Sequence, residues 1–374
     1  MNTLVLSLDG FHAGQTGFGG CTWTQTPGLD YLASESTVFD RFFADRLNLS
    51  EIYDILWGGE RTLAEFFAQK GYKTALLSDD AEVLSLPSSD GFQIIESAVD
   101  GGSTPHIAEE MEQTRLFQTT ASLASLVQTL RSAEPFFCWA HIGSQGKIWD
   151  APQDYRARFT ESGDPEPWDS PLAPNRILRP DDRGQYDPDD KLRMTQSYAG
   201  QMSLWDDCLS VLISDLQESK LWENTAVVLI STRGIGLGEH GVVGLNFPNF
   251  QTEFARQTGL IRLPQPGNAL RRTQALVTYS DWRTILEELS DGNYALPQGR
   301  SRLLAAEDNL RCVQTCAWRY LFETDKTSGG ALYSYPDDRW EVNDVAKICE
   351  REIQSLLEVT KESELPDIIT NIHH

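Results

Sequence analysis

Two runs constrain the fold of this chain more than any other part of its sequence. Thr3-Leu4-Val5-Leu6-Ser7-Leu8 leads into Asp9-Gly10, and Thr225-Ala226-Val227-Val228-Leu229-Ile230-Ser231 leads into Thr232-Arg233-Gly234. Both read as buried strands. Ligands of α/β sheets gather outside the carboxyl ends of such strands, so these two tips are expected to frame a site. One tip carries a single carboxylate and the other a cation.

Between and around these runs, helix-period segments alternate with short β-branched or aromatic runs, the pattern of an α/β sheet flanked by helices. Thr26 followed by Pro27 predicts a helix start with threonine as its cap, and Thr62 likewise caps Leu63 to Phe67, with Gly71 closing that helix. Strands are expected at Tyr72–Leu77 and Pro135–His141, and helices over about 107–130 and 191–219. Residues 150–190 are rich in Pro, Asp and Arg without a period and read as a long surface excursion. Apolar runs at Gly259–Leu263 and Leu276–Tyr279 lead into a helix from Asp281. Beyond residue 300 the style changes to short aromatic strands, Cys316–Phe322 and Ala331–Tyr335, and an amphipathic helix carrying Val345, Ile348, Cys349, Ile353, Leu356 and Leu357. The expected organisation is therefore a mostly parallel α/β domain over 1–300 and a small antiparallel sheet plus helix over 301–374.

Composition narrows the partners. Lys and Arg total 31 against 55 Asp and Glu, a net charge of −24, which works against nucleic acid, anionic lipid and polyanionic sugar. The six cysteines are scattered without a C-x-x-C pair and read as free or buried thiols of a reducing compartment. Met1 stands two residues before the first strand, leaving no room for a signal peptide, and no apolar run approaches membrane-spanning length. The expectation is a cytoplasmic protein, in which Asn48-Leu49-Ser50 is a chance sequon.

Leu6-Ser7-Leu8-Asp9, Gly17-Phe18-Gly19-Gly20, Thr26 to Ala33 and Val38 to Ala44 resemble the opening of a sulfatase of the alkaline phosphatase superfamily. The likeness continues, in order, through Thr62-Leu63-Ala64-Glu65, Gly71 to Ala75, Pro135-Phe136-Phe137, Asn224-Thr225, Gly238-Glu239-His240-Gly241, Ser280 to Thr284 and Leu332-Tyr333 near Asp337-Asp338. Nearly all of these residues cap helices, turn the chain or fill the core. The resemblance implies the alkaline phosphatase/sulfatase-like fold and a residual cleft once suited to an anionic ester.

At the chemical positions the resemblance breaks. It implies a divalent metal bound by two residues after the first strand and by an Asp-His or Asp-Asn pair after the later one, and hard cations need several such oxygens. Those positions hold Asp9, Gly10, Thr232 and Arg233. The family's nucleophile is a Cys or Ser of Cys/Ser-x-Pro-x-Arg matured to formylglycine. Counting back from Leu56-Trp57-Gly58 places that motif on Asn48-Leu49-Ser50-Glu51-Ile52, with Ser50 two residues past the nucleophile. The family's Gly-Lys-x-His falls on Ser78-Asp79-Asp80-Ala81 and its Pro-His-x-Pro on Gln145-Gly146-Lys147-Ile148. The lysine that follows Gly-Glu-His-Gly has become Leu245 or Asn246.

A metal pocket stripped of its ion leaves carboxylates in mutual repulsion, and reducing them to one beside a permanent guanidinium removes that cost. Arg233 is therefore expected in the vacated metal position, paired with Asp9 and also with Asp79. Weak catalytic candidates remain in Ser50 and His240, and in a constellation of His12 or His141 with Ser50 or Ser144. Against these stand blander roles: His240 as a loop residue bonded to backbone, and Asp79-Asp80, Asp189-Asp190 and Asp206-Asp207 as solvated pairs at helix starts.

The expectation is a sulfatase-like pseudoenzyme that takes a small anionic ligand or a protein partner and needs no cofactor. Its competitors are a purely structural subunit and an active sulfuric or phosphoric ester hydrolase with a remodelled site. Ca²⁺ or Mg²⁺ is implied if the metal ligands come from other positions, and none is implied if the chemistry rests on His and Ser.

Overall fold

The computed structural model describes residues 1–99, 104–131, 134–178, 187–246, 249–264, 269–292, 294–325 and 329–361. The central strand, β1 (Asn2–Asp9), is buried along its whole length. Its Leu4, Leu6 and Leu8 point into one apolar layer and Val5 into the other, the two-residue period of a strand covered on both faces.

Parallel neighbours flank it. β5 (Phe136–Ile142) pairs on one side, followed outward by β3 (Lys73–Ser78) and β4 (Ile94–Ser97), and β7 (Thr225–Arg233) pairs on the other. Beyond β7 the sheet turns mixed. β11 (Gly259–Arg262) runs antiparallel to both β7 and β2 (Thr37–Phe43), β10 (Arg256–Gln257) is antiparallel to β2, and β12 (Arg271–Val277) is parallel to it. Helices Pro27–Ser34, Arg115–Leu130 and Pro188–Glu218 cover one face, and Leu49–Trp57, Leu63–Gln69 and Tyr279–Ser290 the other.

A four-stranded antiparallel sheet follows, built from β13 (Arg302–Glu307), β14 (Leu310–Thr315), β15 (Trp318–Glu323) and β16 (Ala331–Ser334), with the helix Glu350–Lys361 against it. Its first two strands carry too few aromatic residues to have stood out in the sequence. The sheet shares a core with the main sheet: Leu303, Ala305, Cys312 and Tyr335 lie in the same apolar cluster as Phe43 and Ile230.

Several local expectations are corrected. Thr26 does not cap its helix. Its hydroxyl accepts from the Gly17 amide, and the Gly28 and Leu29 amides are instead held by Asp206 of the long helix at 2.8 and 2.7 Å. Asp206 is thus a buried cap and not a solvated acid. Thr62 does form a reciprocal box with Glu65. The helix expected from residue 107 begins at Arg115, where the Thr114 hydroxyl accepts from Phe117 and the preceding residues form only one 3-10 turn. The 150–190 segment lies partly outside the described residues. Its described part is no mere surface excursion, since Arg156 and Tyr155 are buried and β6 (Arg176–Ile177) joins β8 (Gly236–Leu237) and β9 (Val242–Gly244) in a small sheet. All six cysteines are free. Among the described residues no helix is long and apolar enough to cross a membrane.

Candidate functional site

The carboxyl tips of β1, β3, β5 and β7 converge, and the junction of β1 with β7 is irregular. Leu8 pairs with Ser231, but Asp9 pairs with Arg233, so Thr232 is an extra residue on the β7 side. Such a bulge re-aims the side chain that follows it. Arg233 thereby lies beside Asp9, donating from Nε to Oδ1 at 2.8 Å and from Nη2 to Oδ2 at 2.5 Å. The Thr232 hydroxyl is 3.2 Å from both Oδ1 and the Leu8 carbonyl.

Asp9 is fully buried while Arg233 retains 19% of its side-chain exposure. Burial opposes ionisation of Asp9, and the Arg233 charge and hydrogen bonds more than offset it, holding the carboxyl below its usual range. The same pairing pushes the guanidinium pKa up against its own burial.

Gly10 closes the tip from above. Its φ of +67° suits glycine, and a Cβ there would stand 2.3 Å from the Gly146 Cα. The turn Ser144–Lys147, which follows β5, therefore rests on the backbone at the position where the resemblance implies a second metal ligand.

Asp79, expected on Arg233, is engaged elsewhere. Its carboxylate accepts from the Gly143 and Ser144 amides at 2.6 and 3.3 Å and from the Thr119 hydroxyl at 3.2 Å, so it fastens the turn after β5. Asp80 holds Lys147 at 2.5 Å and stands 4.0 Å from His141 Nε2. Both acids of this pair are half-buried and engaged, so neither is a freely solvated charge. Asp190 of the Asp189-Asp190 pair meets Arg176 at 2.5 Å.

His141 sits opposite Ser7 in the β1–β5 register. Its Nδ1 is 2.6 Å from the Tyr53 hydroxyl and 3.3 Å from Ser7 Oγ, and that Oγ accepts from Trp139 Nε1 at 2.7 Å. Burial lowers the His141 pKa despite Asp9, Asp79 and Asp80 nearby, which favours the neutral ring. Its Nε2 finds no hydrogen-bond partner among the described residues. Tyr53, Trp139 and Lys147 were not singled out in the sequence, although polar Ser7 and His141 within buried strands were the available signal.

The Ser–His constellations are not assembled. Ser50 Oγ donates to Asn48 Oδ1 at 2.7 Å, and Asn48 caps the helix Leu49–Trp57, so the nucleophile position serves as a helix start. Ser144 Oγ is buried without a partner among the described residues. His12 Nδ1 accepts from the Gly14 amide at 3.1 Å, and its Nε2 is 3.0 Å from Glu239. Burial disfavours the Glu239 charge, yet the bond with His12 and the Leu237 amide bring its pKa down to about 2. His240 Nδ1 lies 2.8 and 3.0 Å from the two oxygens of Glu253, which raises its pKa against the effect of burial.

The four strand-tip positions do not fit the divalent ion that the family resemblance implies. Both Asp9 oxygens are taken by a cation, Gly10 offers no donor and no room for one, Thr232 is hydrogen-bonded, and Arg233 repels a metal.

A family model described as Sulfatase matches residues 1–282. Among solved structures, a protein in complex with its substrate D-glucosamine-2-N,6-O-disulfate matches with a TM-score of 0.76 at 14% identity, covering 98% of this chain and 99% of that one. The phosphonate monoester hydrolase of Agrobacterium radiobacter matches at 0.73 and 16%, covering 96% and 94%. A 2-O GAG sulfatase matches at 0.70 and 14%, covering 96% and 91%. At these identities the likeness is one of fold. No curated protein sequence matches the chain.

Proposed function

The chain belongs to the sulfatase family, and from that premise we propose that it is a member whose ester-hydrolysing centre has been replaced by an ion pair, leaving a catalytically inactive binding or interaction module. The observation that carries this reading is the two-bond contact of Arg233 with Asp9, seated by a bulge and roofed by Gly146. Metal-assisted ester cleavage needs a nucleophile and a Lewis acid that stabilises charge developing on the ester oxygens. Asn48 stands at the nucleophile position and an amide does not serve, while the guanidinium neutralises the one remaining carboxylate.

The proposed ligand is a small anion or a protein. Lys147 keeps 40% of its side-chain exposure and Arg233 19%, so the tips still offer positive charge to an anion, while the overall charge of −24 disfavours nucleic acid and membrane surfaces. Free cysteines throughout agree with a reducing, cytoplasmic setting.

Aryl sulfate, phosphate and phosphonate ester assays test the inactive reading, with Ser50→Ala and His240→Ala as controls. No turnover above buffer is expected; turnover abolished by either substitution, or stoichiometric Ca²⁺ or Mg²⁺ lost on Asp9→Asn, overturns it. A thermal-shift series with sulfate, phosphate and anionic monosaccharides tests the binding role, and no shift with any of them leaves the protein partner as the ligand class.

A further inference from the structure

A second cluster lies apart from the strand tips, where the Gly238–Gly241 loop meets the helix Thr252–Ala255 and the segment after β16. His240, Glu253 and Glu341 each present one ligand atom there, all within 4.8 Å of one another. The Glu253 and Glu341 side chains are only 3% and 1% exposed, so their charges must be offset locally.

Glu341 has part of its compensation. Its Oε1 accepts from Arg319 Nε at 2.5 Å and from the Thr252 hydroxyl at 2.9 Å, and its Oε2 from the Thr252 amide at 3.0 Å. Glu341 adopts a φ of +56°, an uncommon conformation for a non-glycine residue that the surroundings must impose. Glu253 turns both oxygens to His240.

Beside His240 and Glu253 is a small cavity walled by His12, Glu239, Arg256 and Trp340, with about 20 Å³ of room for water centres, enough for one water or one ion with little else. Two carboxylates, Glu239 and Glu253, and one guanidinium, Arg256, line this space, while Glu341, outside the lining, is paired with Arg319. One negative charge is left over, which a proton on His240 or a bound cation offsets.

We propose that His240, Glu253 and Glu341 form a transition-metal site for Zn²⁺, with a water in the cavity as the fourth ligand, that ties the Gly238–Gly241 loop to the C-terminal sheet. One imidazole and two carboxylates suit Zn²⁺ better than Ca²⁺, which takes six or more oxygens. The site shares no residue with Asp9 or Arg233, so it stands whether or not the strand tips are inactive. Zn²⁺ displaces the proton between His240 and Glu253, leaving Arg319 to hold the far side of Glu341.

The test is titration of Zn²⁺ alone into the chelator-treated full-length chain, followed by calorimetry and thermal shift, with His240→Gln, Glu253→Gln and, at an exposed histidine outside the cluster, His106→Gln alongside. Expected are one Zn²⁺ per chain, a raised melting temperature, and an affinity at least about tenfold weaker in each of the first two variants but unchanged in His106→Gln. His240→Gln keeps a hydrogen-bonding side chain, and circular dichroism checks that it folds. If it does not, Glu253→Gln decides alone. No stoichiometric binding, or binding that the His240 and Glu253 substitutions leave intact, overturns the proposal.

Discussion

The Arg233 guanidinium meets the Asp9 carboxylate through two N–H donors, Nε on Oδ1 and Nη2 on Oδ2, at 2.8 and 2.5 Å, with the acid fully buried. Two-point pairing of this kind is stronger and more directional than a single contact. Its energetic signature is asymmetric. Removing one partner strands a buried charge, whereas removing both need cost little.

Arg233→Met is therefore expected to destabilise the fold by about 3–5 kcal/mol, and Asp9→Leu/Arg233→Met to recover most of that loss. Equilibrium urea denaturation of both variants measures it. A double variant no more stable than the single one would show that the pair does not act as a unit.

Replacing Gly10 by aspartate, the residue type a metal site would want, is expected to damage the fold instead of rebuilding the site. Its φ of +67° and the 2.3 Å approach of a Cβ to Gly146 both oppose any side chain. Gly10→Ala should already cost more than about 2 kcal/mol. Gly10→Asp combined with Arg233→Asn should give no Ca²⁺-dependent rise in melting temperature.

Asp206 gives a pH dependence of defined sign. Burial pushes its carboxyl from 3.8 up to about 6, although the Gly28 and Leu29 amides favour its charge. A raised folded-state value means that its contribution to stability is fully present below 3.8 and is lost as pH rises through about 6. Between pH 4 and 6 the wild type should lose about 1–3 kcal/mol relative to Asp206→Asn. The difference between their unfolding free energies isolates this group from others titrating in that range.

Arg319, 1% exposed, binds Glu341, Gln314 Oε1 and the Phe250 carbonyl, so it joins β15 to the loop before the helix Thr252–Ala255. Arg319→Met should cost about 3–5 kcal/mol by leaving Glu341 buried without its cation. Faster limited proteolysis within 300–345 than in the wild type would locate the loss at this junction.

The fold was legible because its signals are local. Unbroken apolar runs name β1 and β7, and the Thr62–Glu65 box marks its helix without tertiary help. The pairing of Asp9 with Arg233 was also readable, since charge arithmetic at two adjacent strand tips leaves few partners. The rest depended on chain segments remote in sequence. Asp206 replaces Thr26 as a cap across 180 or so positions, Asp79 is drawn to the Gly143 and Ser144 amides, and Ser50 turns to Asn48 instead of a histidine. A side chain able to serve several acceptors or donors is assigned only when the backbone arrives.

The apolar cluster that Leu303, Ala305, Cys312 and Tyr335 share with Phe43 and Ile230 bears on how the chain is made. A ribosome delivers β1, β2 and β7 and the helices over this face well before it delivers Tyr335, so the part of the cluster around Phe43 that the later strands cover waits for chain still being synthesised. Nascent chains halted near residue 300 should accordingly bind chaperones that recognise exposed apolar surface, and release them once the stretch through Tyr335 has emerged.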